Sequence, residues 1–154
     1  MTDGMRGQAI IDGLGGRQMD GTFGTAPGSA AAPERRAAYE AAFRRANPNL
    51  DPNAAFVAQT YDCAYLVGLA IEAGRSADRA AIRQNLRVVA NAPGEAVGPG
   101  EFARAKQLLA AGTKVNYEGA SGPIEFNAAG DAQGVIEHWE VREGRIVSVA
   151  QLSE

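Results

Sequence analysis

The chain holds a single histidine and a single cysteine, His138 and Cys63, so any chemistry built on either rests on one residue. A histidine could act as general base beside a hydroxyl or thiol nucleophile. No Ser or Cys stands in a recognisable nucleophile context, however. His138 falls on a predicted strand, offset from Val135, Trp139 and Val141, and reads as a surface or half-buried strand residue. Cys63 lies in an apolar helical stretch and reads as a small buried hydrophobe. One Cys can close no internal disulfide, and with one His it completes no Cys/His zinc site. Gly13-Leu14-Gly15-Gly16 invites a phosphate-loop reading, but a GxGxxG pattern would need glycine where Gln18 stands, and no strand precedes it. The glycines read instead as a helix stop. Asp131 in NAAGD lacks the spaced oxygen ligands of a calcium loop and reads as a turn residue. Arg35, Arg36, Arg44 and Arg45 form a basic cluster whose interleaved acids and alanines point to a solvated face. No pair of carboxylates stands out for acid–base work. The residues by themselves specify no reaction and call for no cofactor or metal.

The elements that must carry these residues follow from spacing and turn chemistry. Residues 5–14 read as a short helix ending at Gly15-Gly16, and 19–25 as a strand. Pro33, at a first helical position, opens a helix through about Ala46, with Tyr39, Ala42, Phe43 and Ala46 on one face and a Glu40–Arg44 pair on the other. Asp51 and Pro52 then read as cap and first residue of a helix over about 53–73, apolar nearly all round and so buried on several sides. Gly74 and Ser76 separate it from a helix over 77–90, with Ile82, Leu86 and Val89 inward and Arg79, Arg83 and Arg87 outward. A Gly/Pro loop over 92–101 leads to a helix over about 101–111. Strands are expected over 122–126, over 134–142 and over 145–152, the last two joined by a Glu143-Gly144 hairpin turn. Such scattered strands cannot build a self-contained doubly wound sheet.

Composition narrows the class. Alanine supplies 31 residues, slightly more than Val, Ile, Leu and Phe together at 30. The core is therefore expected to be thin for its length, since methyl groups bury little area each. A net charge of -3 argues against a nucleic-acid partner. No stretch reaches the roughly 18 consecutive apolar residues of a spanning helix. The opening MTDGMRGQAIIDGLGG lacks the charged start, apolar run and small-residue cleavage site of an export signal.

The order of several segments carries a resemblance. TDG (2–4), DGTFGTAPG (20–28), DPNAAFVAQTYDCAYLVGLAIEAG (51–74), SADRAAIRQNLRVVA (76–90) and NYEGASGPIEFNAAGDAQGVIEHWEVREGRIV (116–147) together resemble the C-terminal part of a type I periplasmic solute-binding protein. The group that fits best is the branched-chain amino acid (Leu/Ile/Val) ABC-transporter receptors. The closing GASGPIEFNAAGD…WEV…G run is the most specific part, although Asn127 stands where relatives often carry Asp.

The resemblance implies an α/β, Rossmann-like, two-lobed fold of which this chain holds C-terminal segments of both lobes. Residues 1–26 would end lobe two and make the first crossing, 27–132 would form the C-terminal helical part of lobe one, and 133–154 would return to lobe two. The strands' sheet neighbours, and the export signal of a periplasmic protein, would then lie in a missing N-terminal half. The implied activity is binding without bond-making: a small amino acid or similar solute held in an interlobe cleft, for delivery to an ABC permease in the membrane. The alternative is a ligand-sensing domain of a receptor or regulator built on the same fold. Asp3 matches an acid that holds the ligand's α-ammonium in leucine-binding members, and Phe56 an aromatic packed on the ligand side chain. Tyr61, one helical turn further on, is a third candidate. With half of such a cleft absent, the isolated chain is expected to bind little.

Overall fold

The computed structural model describes residues 1–153. Five α-helices and five strands follow one another among them, and the chain divides into two compact units. The first unit comprises Met1–Ala30, Asn53–Val57 and the chain from Gly134 onward; the second comprises Ala31–Pro52 and Ala58–Gln133.

The first unit is built on a three-stranded antiparallel sheet in the order β1 (Phe23–Pro27), β4 (Val135–Arg142), β5 (Arg145–Ser153). Its hairpin turn places Glu143 at φ 52° and Gly144 at φ 73°, the double left-handed geometry that matches the twist of the flanking strands. A register shift interrupts the β4–β5 pairing at His138/Trp139. Alternation along β4 sends Trp139 and Val141 into a small core with Ala26 of β1 and with Ile11, the one buried residue of α1 (Gln8–Gly13). Gly24 lies opposite Trp139, and a Cβ there would stand 2.7 Å from the indole Cζ2 and 2.3 Å from the carbonyl oxygen of Met1. Only glycine allows that approach. Gln8 ties α1 to the hairpin, donating to the Gly144 carbonyl at 2.8 Å and accepting from the Ile146 N–H at 3.2 Å. After α1, Gly15 at φ 102° turns the chain into a 3-10 stretch, Gly16–Met19, the helix stop its glycines lead one to expect. The strand expected over 19–25 is displaced toward the C-terminus for that reason.

The second unit layers helices α2 (Pro33–Ala46), α3 (Val57–Gly74, from its second residue on), α4 (Arg79–Ala90) and α5 (Phe102–Ala110) with a two-stranded parallel pair, β2 (Glu95–Val97) and β3 (Val115–Tyr117). Its core joins Leu66, Leu69 and Ala70 of α3 with Val89, Ala90, Val97, Ala105, Val115 and Tyr117. Three of these nine residues are alanines, as the composition leads one to expect. Ile82 and Leu86 pack against that cluster, while Arg79, Arg83 and Arg87 stay exposed. Arg44 and Arg36 pair with Glu40 at 2.8 and 3.1 Å, and Arg35 pairs with Glu101.

Several expectations fail here. The helix expected from residue 53 starts at Val57, because Phe56 adopts a left-handed backbone (φ 68°) that cannot belong to a right-handed helix. That helix is not buried on all sides: Thr60, Cys63, Ala64 and Val67 are exposed at helical spacing. Cys63 is thus a surface thiol, not a buried hydrophobe. Residues 95–97, taken for loop, are a strand, and so are 115–117. Residues 122–126 are not a strand and make only isolated bridges, Glu118 with Pro123 and Phe126 with Ala132. Side chains compete for backbone donors here: the N–H of Phe126 goes to Asn91 Oδ1 at 3.0 Å, and just before the stretch those of Ala120 and Ser121 go to Asp62.

Gly94 enters β2 where a Cβ would lie 2.4–2.8 Å from the Val115 carbonyl and the Asn116 nitrogen. These backbone atoms belong to the partner strand and cannot swing aside. Gly94→Ala should therefore destabilise the protein by about 1–3 kcal/mol, measured as a lower urea midpoint with unchanged slope.

Candidate ligand-binding site

Asp3 sits in a 3-10 turn, Asp3–Met5, closed by Arg6 N–H donating to the Asp3 carbonyl at 3.0 Å. Its Oδ1 accepts the N–H of Gly4 at 2.7 Å, while Oδ2 has no partner among the described residues, and the side chain is exposed. An exposed carboxylate with a free oxygen can accept a cationic donor. The turn is held from behind by Arg6. Its Nη2 donates to Glu137 Oε1 at 2.8 Å and its Nε lies 2.6 Å from Oε2 without making a hydrogen bond, an ion pair with a carboxylate that is buried on β4. A third contact, Nη1 to the Asn53 carbonyl at 3.4 Å, ties the same guanidinium to the short segment that carries Phe56.

Phe56 leaves 43% of its surface exposed and makes no ring contact among the described residues. Its positive φ is uncommon for a bulky side chain and costs on the order of 1–3 kcal/mol. Asp3 and Phe56 thus belong to one unit, linked through Arg6 and Asn53. Tyr61 belongs to the other unit. It is half-buried between Tyr39 and Tyr65, with ring centroids 5.1 and 5.7 Å away. The row continues: Tyr65 stacks on Tyr117 at 4.7 Å and meets Phe102 edge-on at 5.4 Å. Hydroxyls fix it at two points, Tyr39 donating to the Pro52 carbonyl at 2.8 Å and Tyr65 to the Gly98 carbonyl at 2.9 Å.

Asp62, which the sequence reading passed over, anchors this row. It is 2% exposed, and its two oxygens accept Tyr117 Oη and Ala120 N–H at 2.7 Å, Ser121 N–H at 2.8 Å and Ser121 Oγ at 2.6 Å. A signal did exist: Asp62 is the sole charged residue of α3 before Glu72. An acid set in an apolar helix must find donors or stay in water. His138 is half-buried on β4, edge-on to Phe23 at 5.8 Å. The NAAGD turn is closed by Asn127, whose Oδ1 accepts from Gly130 and Asp131 N–H at 2.9 and 3.0 Å. Among the described residues no three His, Cys, Asp or Glu side chains gather as metal ligands.

An antiparallel sheet with a short helix in one unit, and helices on a parallel strand pair in the other, make up part of a type I periplasmic-binding-protein fold. Two solved structures show it. The chain matches a leucine binding protein, LivK, from Thermotoga maritima over 99% of its own length and 36% of that chain, with a TM-score of 0.68 and 22% identity. It matches the branched-chain amino acid transporter substrate binding protein LivJ of Streptococcus pneumoniae, in complex with isoleucine, over the same shares, with a TM-score of 0.67 and 17% identity. Residues 8–143 match the family described as the receptor family ligand binding region, and the chain belongs to that family. A curated relative, the chemotactic signal transduction system substrate-binding protein BasB of Halobacterium salinarum, is 30% identical over 134 residues, which are 78% of this chain and 32% of that protein. The chain therefore spans about a third of the length of these relatives.

Two outcomes follow from the tyrosine row and its anchor. Asp62→Asn replaces an oxygen that accepts two hydrogen bonds with an NH2 facing the same two donors. The variant should lose about 2–4 kcal/mol in urea unfolding. All four tyrosines of the chain have hydroxyls shifted above the ordinary phenol value, burial being the largest cause in each and the Asp62 charge adding to it for Tyr39, Tyr61 and Tyr117. Tyr39 is pushed up to about 12. A phenol whose folded value is raised contributes stability that is complete below the unfolded value of 10 and is lost as pH rises toward 12. Absorbance at 295 nm should stay flat through pH ~10 and then rise together with loss of the far-UV signal. A separate tyrosinate transition in the folded protein would contradict this.

Proposed function

We propose that this chain is part of the substrate-binding component of an ABC importer, taking up an amino acid with an aliphatic side chain outside the cytoplasmic membrane. The single observation that carries the reading is the pairing, within one unit, of an exposed half-free carboxylate, Asp3, with an exposed strained aromatic, Phe56. Asp3 would hold the ligand's α-ammonium and Phe56 its methylenes; Tyr61, in the other unit, stays a third candidate on the resemblance. No bond is made or broken. Ligand contacts formed in a closed state would shift the population toward it, and the closed form would dock on the permease. The remainder of the cleft, including the grip on the ligand carboxylate, would come from sequence outside this chain.

Several findings support this reading. The family is a ligand-binding one, and the solved relatives are described as leucine and branched-chain amino acid binding proteins. The division into two units, each assembled from separate stretches of chain, resembles an arrangement of residues 1–26 and 133–154 in one lobe and 27–132 in the other, except that residues 27–30 and Asn53–Val57 group with the first unit. Among the described residues no helix is long and apolar enough to cross a membrane.

A second reading has one observation in its favour. The 30% identical relative is described as part of a chemotactic signal transduction system, so the bound state could be read by a receptor rather than a permease.

Calorimetric titration with L-leucine, L-isoleucine and L-valine tests the binding claim, using the polypeptide in which this sequence occurs. Asp3→Ala should weaken binding of every one of them by about tenfold or more, the loss of a charge-assisted contact. Phe56→Ala should weaken L-leucine more than L-valine, because the longer side chain offers more methylene surface. Unchanged affinity in Asp3→Ala would remove the ammonium role.

A further inference from the structure

Asp3 and Arg6 stand three residues apart across a 3-10 turn, where side chains at i and i+3 eclipse one another. A carboxylate with a free oxygen and a long cation in that relation would ordinarily meet. They do not meet here, because the guanidinium is turned toward Glu137 and the Asn53 carbonyl instead. Glu137 Oε1 accepts from Nη2 at 2.8 Å and Oε2 stands 2.6 Å from Nε in an ion pair, although that buried Nε makes no hydrogen bond; Nη1 donates to the Asn53 carbonyl at 3.4 Å. Glu137 lies on β4 opposite Ala26, and only 6% of it is exposed. Such burial of an acid on the core side of a strand is expensive, and it is satisfied only because Arg6 covers it.

We propose that Glu137 is a positioning residue of the ligand site: by holding the Arg6 guanidinium on β4, it keeps that cation off Asp3 and leaves the Asp3 carboxylate open to an ammonium ligand. The proposal rests on the reading of Asp3 given above. An ammonium ligand competes with any protein cation that can reach its carboxylate. A cation three residues away on the same turn is at high local concentration, so without a stronger partner it would occupy the site. The buried, ion-paired partner supplies that preference, since a carboxylate shielded from water holds a guanidinium more strongly than an exposed one does. The same guanidinium ties the Asp3 turn to the Asn53 segment, so that one pair both clears the acid and holds the stretch preceding Phe56.

The test compares the parent, Glu137→Gln and the double variant Arg6→Gln/Glu137→Gln, in the polypeptide used above. Two signals are read: the amide resonance of Gly4, whose N–H reports on Asp3 Oδ1, and the calorimetric affinity for L-leucine. In Glu137→Gln the freed Arg6 should move the Gly4 resonance and lower the affinity about fivefold, the worth of an exposed ion pair that the ligand must displace. In the double variant, which lacks the competing cation, both signals should return to the parent values. A Gly4 resonance unmoved in Glu137→Gln overturns the proposal. So does a double variant that binds as weakly as the single, because the loss then comes from a damaged fold. Should Glu137→Gln not fold, Glu137→Asp keeps the charge but withdraws it by one methylene, and the same shift in the same direction is expected. Should the parent itself bind no L-leucine, the ammonium reading of Asp3 fails, and the Gly4 resonance separately decides whether Glu137 restrains Arg6.

Discussion

A carboxylate withdrawn from water costs several kcal/mol unless its lone pairs are filled, and Asp62 fills them with four donors drawn from one short stretch of chain. Tyr117, Ala120 and Ser121 all reach it, across as many as 59 residues of sequence. Gly119 is drawn so close that a Cβ there would lie 2.6 Å from Asp62 Oδ2. The end of β3 and the turn after it are thereby fixed to the middle of α3. Through Tyr117 the same anchor sets the stacking of Tyr65, and through Tyr65 the pitch of Tyr61 and Tyr39. A core with this much alanine has little large apolar surface with which to specify one packing. The hydrogen-bonded carboxylate and the row of rings supply directional constraints that methyl groups cannot.

The other unit solves a similar problem with a different pair. Its core is small, four buried residues with Met5, Met19 and Ile146 packed around them, and its sheet has three strands. Trp139 can enter only because Gly24 has no side chain. Arg6 and Glu137 then close the space beside Ala26 and fasten the first turn of the chain to β4. In both units a buried acid is what joins segments remote in sequence, by neutral donors in one and by a guanidinium in the other. The difference matters for function. The neutral network has no reason to move, whereas the ion pair includes a long side chain for which Asp3 is the proposed alternative partner.

What the sequence discloses depends on how local the cause is. Helix Pro33–Ala46 has the expected bounds because its signals lie within it: a proline at the first position, and Asn47-Pro48 just beyond the end. The β4–β5 hairpin is equally local, fixed by Glu143-Gly144 and by the alternation around Trp139. Strands β2 and β3 escape notice because three residues cannot display a period of two, and their pairing joins Glu95 to Val115 with a whole helix between them. Residues 122–126 look extended and nearly are, but their neighbours' donors are claimed by Asp62 and Asn91, and no local pattern announces that. Phe56 is the hardest case. Nothing in its side chain favours a left-handed backbone, so the break in α3 cannot be read from propensity. Of the candidate site, the identities of Asp3, Phe56 and Tyr61 come from resemblance alone; the structure adds which unit each belongs to, and the Arg6–Glu137 pair that no spacing rule reveals.

On the proposed reading, the exposed carboxylate and the exposed ring divide recognition into two contributions of different character. An ammonium at Asp3 is held by a charge-assisted contact that is strong only where water is excluded, and Asp3 is exposed in this chain. Its contribution to affinity therefore depends on closure bringing low-dielectric surface over it. Phe56 contributes by area buried, which also requires a ligand clasped from the other side. Neither residue can discriminate well in an open site, and both become effective in the same event. That coupling gives a transport receptor its two distinguishable states, because free energy that appears only on closure is free energy available to drive closure. On the same reading, a cation on the turn of Asp3 has to be restrained beforehand. A competitor tethered on the same turn would neutralise Asp3 in the open state and leave an incoming ammonium nothing to gain.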